Sequence, residues 1–157
     1  MADMYKCYDS VWHRIALGLA AMLIATDAAA ILVVSEPWVR VSPKAHSAEG
    51  YVTLRSTEGA TLVGVRTDAA ARIEIRKPGT TGASIGEIKL PAGETVMLAP
   101  GAQKFVLSNL SHPLKLGDRI GIDLTFMGAD GERQQVHVNA EVRRHSPTDD
   151  HMHGHRH

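Results

Sequence analysis

Cysteine is almost absent from this chain of 157 residues: the single one is Cys7, ahead of an apolar run that reads as an export leader. A chain trimmed at that leader carries no thiol, which excludes internal disulfides, thiol catalysis and dithiol redox chemistry. It also excludes a blue-copper electron-transfer centre, where a thiolate must stand beside the histidines. A surplus of charge is missing too. Seventeen Lys and Arg balance seventeen Asp and Glu, so no net field draws the chain to nucleic acid or to an anionic membrane surface. The longest apolar run, Ile15 to Ala25, has eleven residues, against the roughly 20 needed to span a bilayer. Asp27 blocks its extension, and stable membrane insertion after leader cleavage is not expected. Aromatic residues make up only 4% of the chain, so each buried ring weighs heavily in the core.

What is present at the start fits export. Lys6 and Arg14 precede the apolar run, and Ala28-Ala29-Ala30 supplies an A-x-A cleavage site before Ile31, which assigns residues 1–30 to a signal peptide. Asp3 and Asp9 are unusual in a positively charged leader, and they leave open an uncleaved leader that tethers the protein to the membrane.

From Ile31 to Val142 the chain alternates short runs of Val, Ile, Leu and Thr with turn residues. The pattern predicts strands near 31–41, 49–56, 61–66, 72–77, 85–90, 94–98, 103–110, 119–127 and 133–142. Turn signals such as Glu58-Gly59, Pro78-Gly79, Pro100-Gly101 and Asp130-Gly131 punctuate them at the spacing of an all-β sandwich or barrel. Only Thr67 to Ala71 suggests a short turn of helix. In Arg119 to Phe126, the apolar Ile120, Ile122, Leu124 and Phe126 fall on one face, opposite Arg119, Asp123 and Thr125. Trp38 is expected to anchor the core, Met97 to fill it, and Met127 to open a loop.

After Arg143 the composition changes. Residues 143–157 read as a flexible segment in which Arg144 to Asp150 forms a linker. The chain then ends His151-Met152-His153-Gly154-His155-Arg156-His157, four imidazoles and a thioether crowded together. Imidazole suits Cu(II) and Zn(II), whereas thioether sulfur selects Cu(I), so the mixture favours copper. His145 stands close enough in sequence to join them. A plain solvated tail is the competing reading of the same residues.

Other motifs carry less. Gly82-Ala83-Ser84-Ile85-Gly86 matches the G-x-S-x-G pattern of a hydrolase nucleophile elbow, but that chemistry needs a strand-to-helix turn in an α/β scaffold, and a hairpin loop is the better reading. His46 precedes a strand, His112 sits in a Ser-His-Pro turn and His137 lies on the last strand, settings where single histidines are ordinarily surface or satisfied residues. Asn109-Leu110-Ser111 matches a common glycosylation pattern at a strand end.

The body nevertheless resembles a known family. Pro37-Trp38-Val39-Arg40, Gly50-Tyr51-Val52-Thr53-Leu54, Ala69-Ala70-Ala71-Arg72-Ile73-Glu74-Ile75, Leu90-Pro91-Ala92-Gly93, Leu98-Ala99-Pro100-Gly101, Leu107-Ser108-Asn109-Leu110, Pro113-Leu114-Lys115-Leu116-Gly117-Asp118 and Leu124-Thr125-Phe126 are similar, in order, to the PCu(A)C periplasmic copper chaperones. The resemblance covers about residues 35–142. It implies a cupredoxin-like Greek-key β-sandwich over 31–142 that serves cytochrome oxidase or related cuproenzymes in the periplasm. Several members carry His/Met-rich C-terminal extensions. The family's usual ligands do not carry over: its first histidine falls on Arg76, its His-x-Met pair on Lys104 and Val106, and the hairpin from Lys77 to Leu90 holds no methionine. A copper ion there would meet two cations that offer no lone pair at neutral pH.

Two functional readings follow. In the first, the protein is a periplasmic copper chaperone or accessory protein, not an enzyme. It holds copper, Cu(I) or Cu(II), through His151, Met152, His153, His155 and His157, with His145 as an addition, for a cuproenzyme or its assembly factors. In the second, the body is a metal-independent binding or assembly module, with Arg76 and Lys104 forming a basic patch for an acidic partner or an anion. No set of nucleophile, base and orienting group supports catalysis.

Overall fold

A computed structural model describes residues 30–42, 46–79 and 83–147. Its named elements are ten strands: β1 Leu32–Val41, β2 Ser47–Ser56, β3 Ala60–Arg66, β4 Ala70–Arg76, β5 Ser84–Ile85, β6 Ile88–Leu90, β7 Thr95–Leu98, β8 Lys104–Leu110, β9 Arg119–Gly128 and β10 Arg133–Val142. They join in one hydrogen-bonded path, β5-β4-β8-β2-β1-β10-β9-β3-β6, with β7 pairing β2 beside β8. Every pairing is antiparallel except that of β1 with β10, where Trp38 and Val39 face Glu141 and Val142. This short parallel seam closes a β-sandwich.

The alternation predicted for β9 is present. Ile120, Ile122, Leu124 and Phe126 are buried, and they share one apolar cluster with Val39, Val52, Leu54, Leu62, Ile75, Phe105 and Leu107. At about 25 cal/mol per Å² of apolar surface removed from water, such contact is the main force holding the two halves together.

The first strand changes sides on the way. Leu32 and Val34 lie opposite Ser56 and Leu54 on the core face, but the register shifts between Ser35 and Trp38. Glu36 takes φ 50° at this bulge, and Pro37 has no N–H to leave unpaired. Beyond it, Val39 and Val41 point to the core, while Trp38 and Arg40 face outward opposite Tyr51 and Glu49. Trp38 is therefore buried, as expected, but outside the main cluster. It stacks on Tyr51 with centroids 4.4 Å apart.

Three local expectations are corrected. Thr67 to Ala71 forms no helical turn: the Thr67 hydroxyl donates to Gly121 O at 2.7 Å and accepts from Ala69 N at 3.2 Å. These bonds hold a tight connection into β4 and compete with helix. The strand expected at 85–90 is two, because Gly86-Glu87 breaks it between β5 and β6. Met97 does not fill the core. It lies opposite Thr53 on the outward side of β2 and is 55% exposed.

The signal peptide, apart from Ala30, and the ligands His151, Met152, His153, His155 and His157 lie outside the described residues.

Candidate functional site

The outward face of β1, β2, β8 and β4 carries the densest polar network among the described residues. Alternation places its members there. Arg40 stands opposite Glu49, Val106 lies between Glu49 and Glu74, and Arg76 stands opposite Lys104. Arg76, Lys104 and Val106, onto which the resemblance would map three of the family's ligands, thus lie on one surface.

Glu49 is the hub. Its carboxylate accepts from Lys104 Nζ through one oxygen. Through the other it accepts from Arg40 Nη2 and from the Tyr51 hydroxyl, both at 2.6 Å. Arg40 Nη2 also donates to Tyr51 Oη at 2.9 Å, and its guanidinium lies 5.6 Å from the centroid of the Tyr51 ring. Burial works against the charge on Glu49. The bonds from Lys104, Tyr51 and Arg40 outweigh it and hold the carboxyl at about 2, below its ordinary 4.5. The same bond from Arg40 to Glu49 raises the guanidinium further above its ordinary value. Burial first, then the charge and hydrogen bond of Glu49, push the Tyr51 hydroxyl upward. Beside this hub, Glu74 pairs with Arg76 at 3.0 Å and with Arg72 at 2.5 Å, and its carboxyl is held low chiefly by the bond from Arg76.

The chemistry of the face follows from this inventory. Arg40, Arg72, Arg76 and Lys104 are each bonded to a carboxylate, and none of Arg76, Lys104 and Val106 offers a lone pair to a metal. Among the described residues of this face, the exposed Met97 thioether is the one soft donor, opposite Thr53 on β2. The histidines of the body do not gather. His46 and His112 are exposed, and Ser111 Oγ lies 3.1 Å from His112 Nδ1. His137 Nδ1 bonds Asp123 at 2.6 Å on the β9–β10 surface. Among the described residues, no three His, Cys, Asp or Glu side chains are grouped to hold a metal ion. His145, the one proposed tail ligand within the described residues, is exposed at a cleft of about 440 Å³ shared with Leu116, Glu141 and Arg144. There the chain leaves the sandwich.

The network around Glu49 was not foreseen from sequence. The available signal was the pair of alternating dipeptides, Trp38 with Arg40 and Glu49 with Tyr51, each placing a ring and a charge on one side of a strand.

A sandwich of this topology is that of the PCuAC class of β domain, as solved structures bear out. The chain is similar to the "Apo PCuAC domain from PmoF1", with a TM-score of 0.61 at 21% identity over 71% of this chain and 92% of that one. It is similar to the "Copper-bound PCuAC domain from PmoF2" at 0.59, again with 21% identity and the same coverage. It also resembles CuI-DR1885 from Deinococcus radiodurans, with a TM-score of 0.54 at 25% identity over 74% of this chain and 77% of that one. Within that class, residues 32–142 match the model of the LpqE-like family, described as "Putative lipoprotein LpqE-like", and the chain belongs to that family. A relative, "Putative lipoprotein Lxx21020" from Leifsonia xyli subsp. xyli (strain CTCB07), is 31% identical over 112 residues, which span 67% of this chain and 66% of that protein.

Proposed function

We propose that the protein is an exported copper-binding accessory protein that buffers or delivers copper for cuproenzyme assembly, and that its C-terminal segment, rather than its sandwich, holds the metal. The reading is supported above all by one contrast. The PCuAC fold is kept, but where the resemblance puts the family's ligands stand Arg76 and Lys104, bonded to Glu74 and Glu49, and the apolar Val106. The imidazoles and thioether suited to copper are instead concentrated at His151, Met152, His153, His155 and His157. His145, exposed at the edge of the sandwich, would add a ligand from the body side. Copper is cargo in this reading, and the residues carry out no catalysis. The names of a copper-bound neighbour and of lipoprotein relatives agree with cargo and with export. The leader at residues 1–30, cleaved or kept as a tether, directs the protein to the periplasm.

A chain ending at Arg143 tests the assignment. In competition with a chromophoric copper chelator, the full chain should take up copper tightly and the shortened one should not. Tight uptake of one equivalent by the shortened chain places the ligands in the sandwich and overturns the reading.

A second reading has its own observation. On the outward face, Arg40, Arg72, Arg76 and Lys104 share the two carboxylates Glu49 and Glu74, and Arg55 is exposed on the same side of β2, a surplus that fits docking of an acidic partner. In that case Arg72→Glu with Arg76→Glu would abolish function, and loss of the segment after Arg143 would not.

A further inference from the structure

Alternation sets a second row beside the Glu49 hub. Ser47 stands opposite Ser108, and Ser108 opposite Arg72; at the other end Ser42, just past β1, donates its N–H to Ser47 O at 3.0 Å. Three hydroxyls and a guanidinium therefore cross the outward face from β1 through β2 and β8 to β4. The three serines are half-buried, and their hydroxyls make no hydrogen bond among the described residues. They are still open to solvent, because the one fully enclosed and unpartnered side-chain atom among those residues is Ser56 Oγ. Arginines stand at both ends. Arg72 closes the row on β4 with its side chain 70% exposed. Arg40, 42% exposed, shares a cleft of about 430 Å³ with Ser42 at the β1 end. Each arginine gives Nη2 to a carboxylate, which leaves its other guanidinium nitrogens for a ligand. The neighbouring carboxylates are already matched, Glu49 by Arg40 and Lys104 and Glu74 by Arg72 and Arg76.

We propose that this row is a docking strip for an extended acidic peptide, laid across the four strands with one carboxylate at Arg40, another at Arg72, and its main chain on the serine hydroxyls between them. The proposal rests on the reading of this face as a dock for an acidic partner, and it names the form that partner takes. Neighbouring strands lie about 4.8 Å apart, so the three gaps from β1 to β4 span ~14 Å. An extended peptide advances ~3.4 Å per residue and points alternate side chains the same way. Two carboxylates four residues apart cover that ~14 Å from one side of the peptide, whereas three apart they face opposite ways. Hydroxyls suit a peptide main chain because each can donate to a carbonyl or accept from an N–H.

The test titrates the full chain, labelled with ¹⁵N, with two end-blocked peptides of identical composition, neutral but for two glutamates. These stand four residues apart in one peptide and three apart in the other; a third peptide replaces both by glutamine. Saturable amide shifts should centre on Ser47, Ser108 and Arg72. The four-apart peptide should bind about fivefold more tightly than the three-apart one, the equivalent of ~1 kcal/mol for one exposed ion pair at its best. Arg72→Gln should remove that preference, and Ser47→Ala combined with Ser108→Ala should weaken both acidic peptides by about fivefold. Acidic peptides that bind better than the glutamine peptide but without regard to spacing, a preference that survives Arg72→Gln, or unchanged binding to the serine variant would each overturn the strip while leaving the acidic-partner reading standing. If neither acidic peptide binds better than the glutamine one, both fall. Should a variant not fold, the three peptides on the unaltered chain still decide.

Discussion

Replacing Glu49 by Gln keeps the shape of the hub and removes its charge, leaving Lys104 and Arg40 facing a neutral amide. Breaking a fully buried ion pair costs about 3–5 kcal/mol, whereas exposed pairs are worth about 0–1. The side chains of Glu49 and Lys104 are 24% and 21% exposed, and that of Arg40 is 42% exposed. The network therefore sits between these limits, and a loss of about 1–2 kcal/mol is expected at pH 7. Linkage gives a second estimate. A carboxyl held at about 2 instead of 4.5 corresponds to at most about 3 kcal/mol at 1.36 kcal/mol per pH unit, and solvent screening at a partly exposed site reduces this to the same range. The sign is set by the lowered value. The stabilisation is complete above pH 4.5 and is lost as pH falls from 4.5 toward 2. Urea unfolding of the unaltered chain and of Glu49→Gln, at pH 7 and at successive steps below pH 4.5, measures both quantities. The gap between the two proteins should be widest at neutral pH and close as the solution approaches pH 2. A gap under about 0.3 kcal/mol at pH 7, or one that stays constant across that window, would refute the reasoning and reduce the network to surface decoration.

Four further outcomes are expected. Gly50→Ala should destabilise by about 1–2 kcal/mol, read as a lower urea midpoint, because its new Cβ would lie 3.2 Å from Phe105 Cβ and 3.3 Å from its ring, where the packed core has little room to give. Gly121→Ala should displace the His137 ring, whose Cε1 lies 2.8 Å from the position of the new Cβ; the NMR signals of the His137–Asp123 pair should shift while the fold persists. Replacing His151, His153, His155 and His157 together by Ala should eliminate tight copper binding, and in the unaltered chain affinity should fall steeply from about pH 7 to 5, as protons compete for imidazoles with ordinary values of about 6.5. Mass spectrometry of protein recovered from the producing cell should show an N-terminus between Ala29 and Ile31, and an intact Met1 species in the cytosol would contradict export.

Strand alternation is a local property, and the sequence by itself determined what depends on it. The nine expected strands correspond to ten observed ones, with bounds within about two residues. The buried face of β9 could be read directly, because successive side chains must point to opposite sides of a sheet. That Arg76, Lys104 and Val106 lack metal-binding lone pairs was equally legible, whatever their positions. Tertiary structure decided what depends on pairing between distant segments. Glu49 meets Lys104 because β2 and β8 pair across 55 residues of chain. Trp38 faces away from the main core because the bulge at Glu36-Pro37 shifts the register, and each one-residue shift exchanges the two faces of a strand. Met97 is exposed for the same kind of reason: its neighbours Val96 and Leu98 take the core side opposite Leu54 and Val52, which leaves the thioether outward. The buried hydroxyl of Ser56 likewise became visible only when β1, β3 and β9 closed around the end of β2. Composition and period report which residues can lie on a face, but register and closure determine which faces meet.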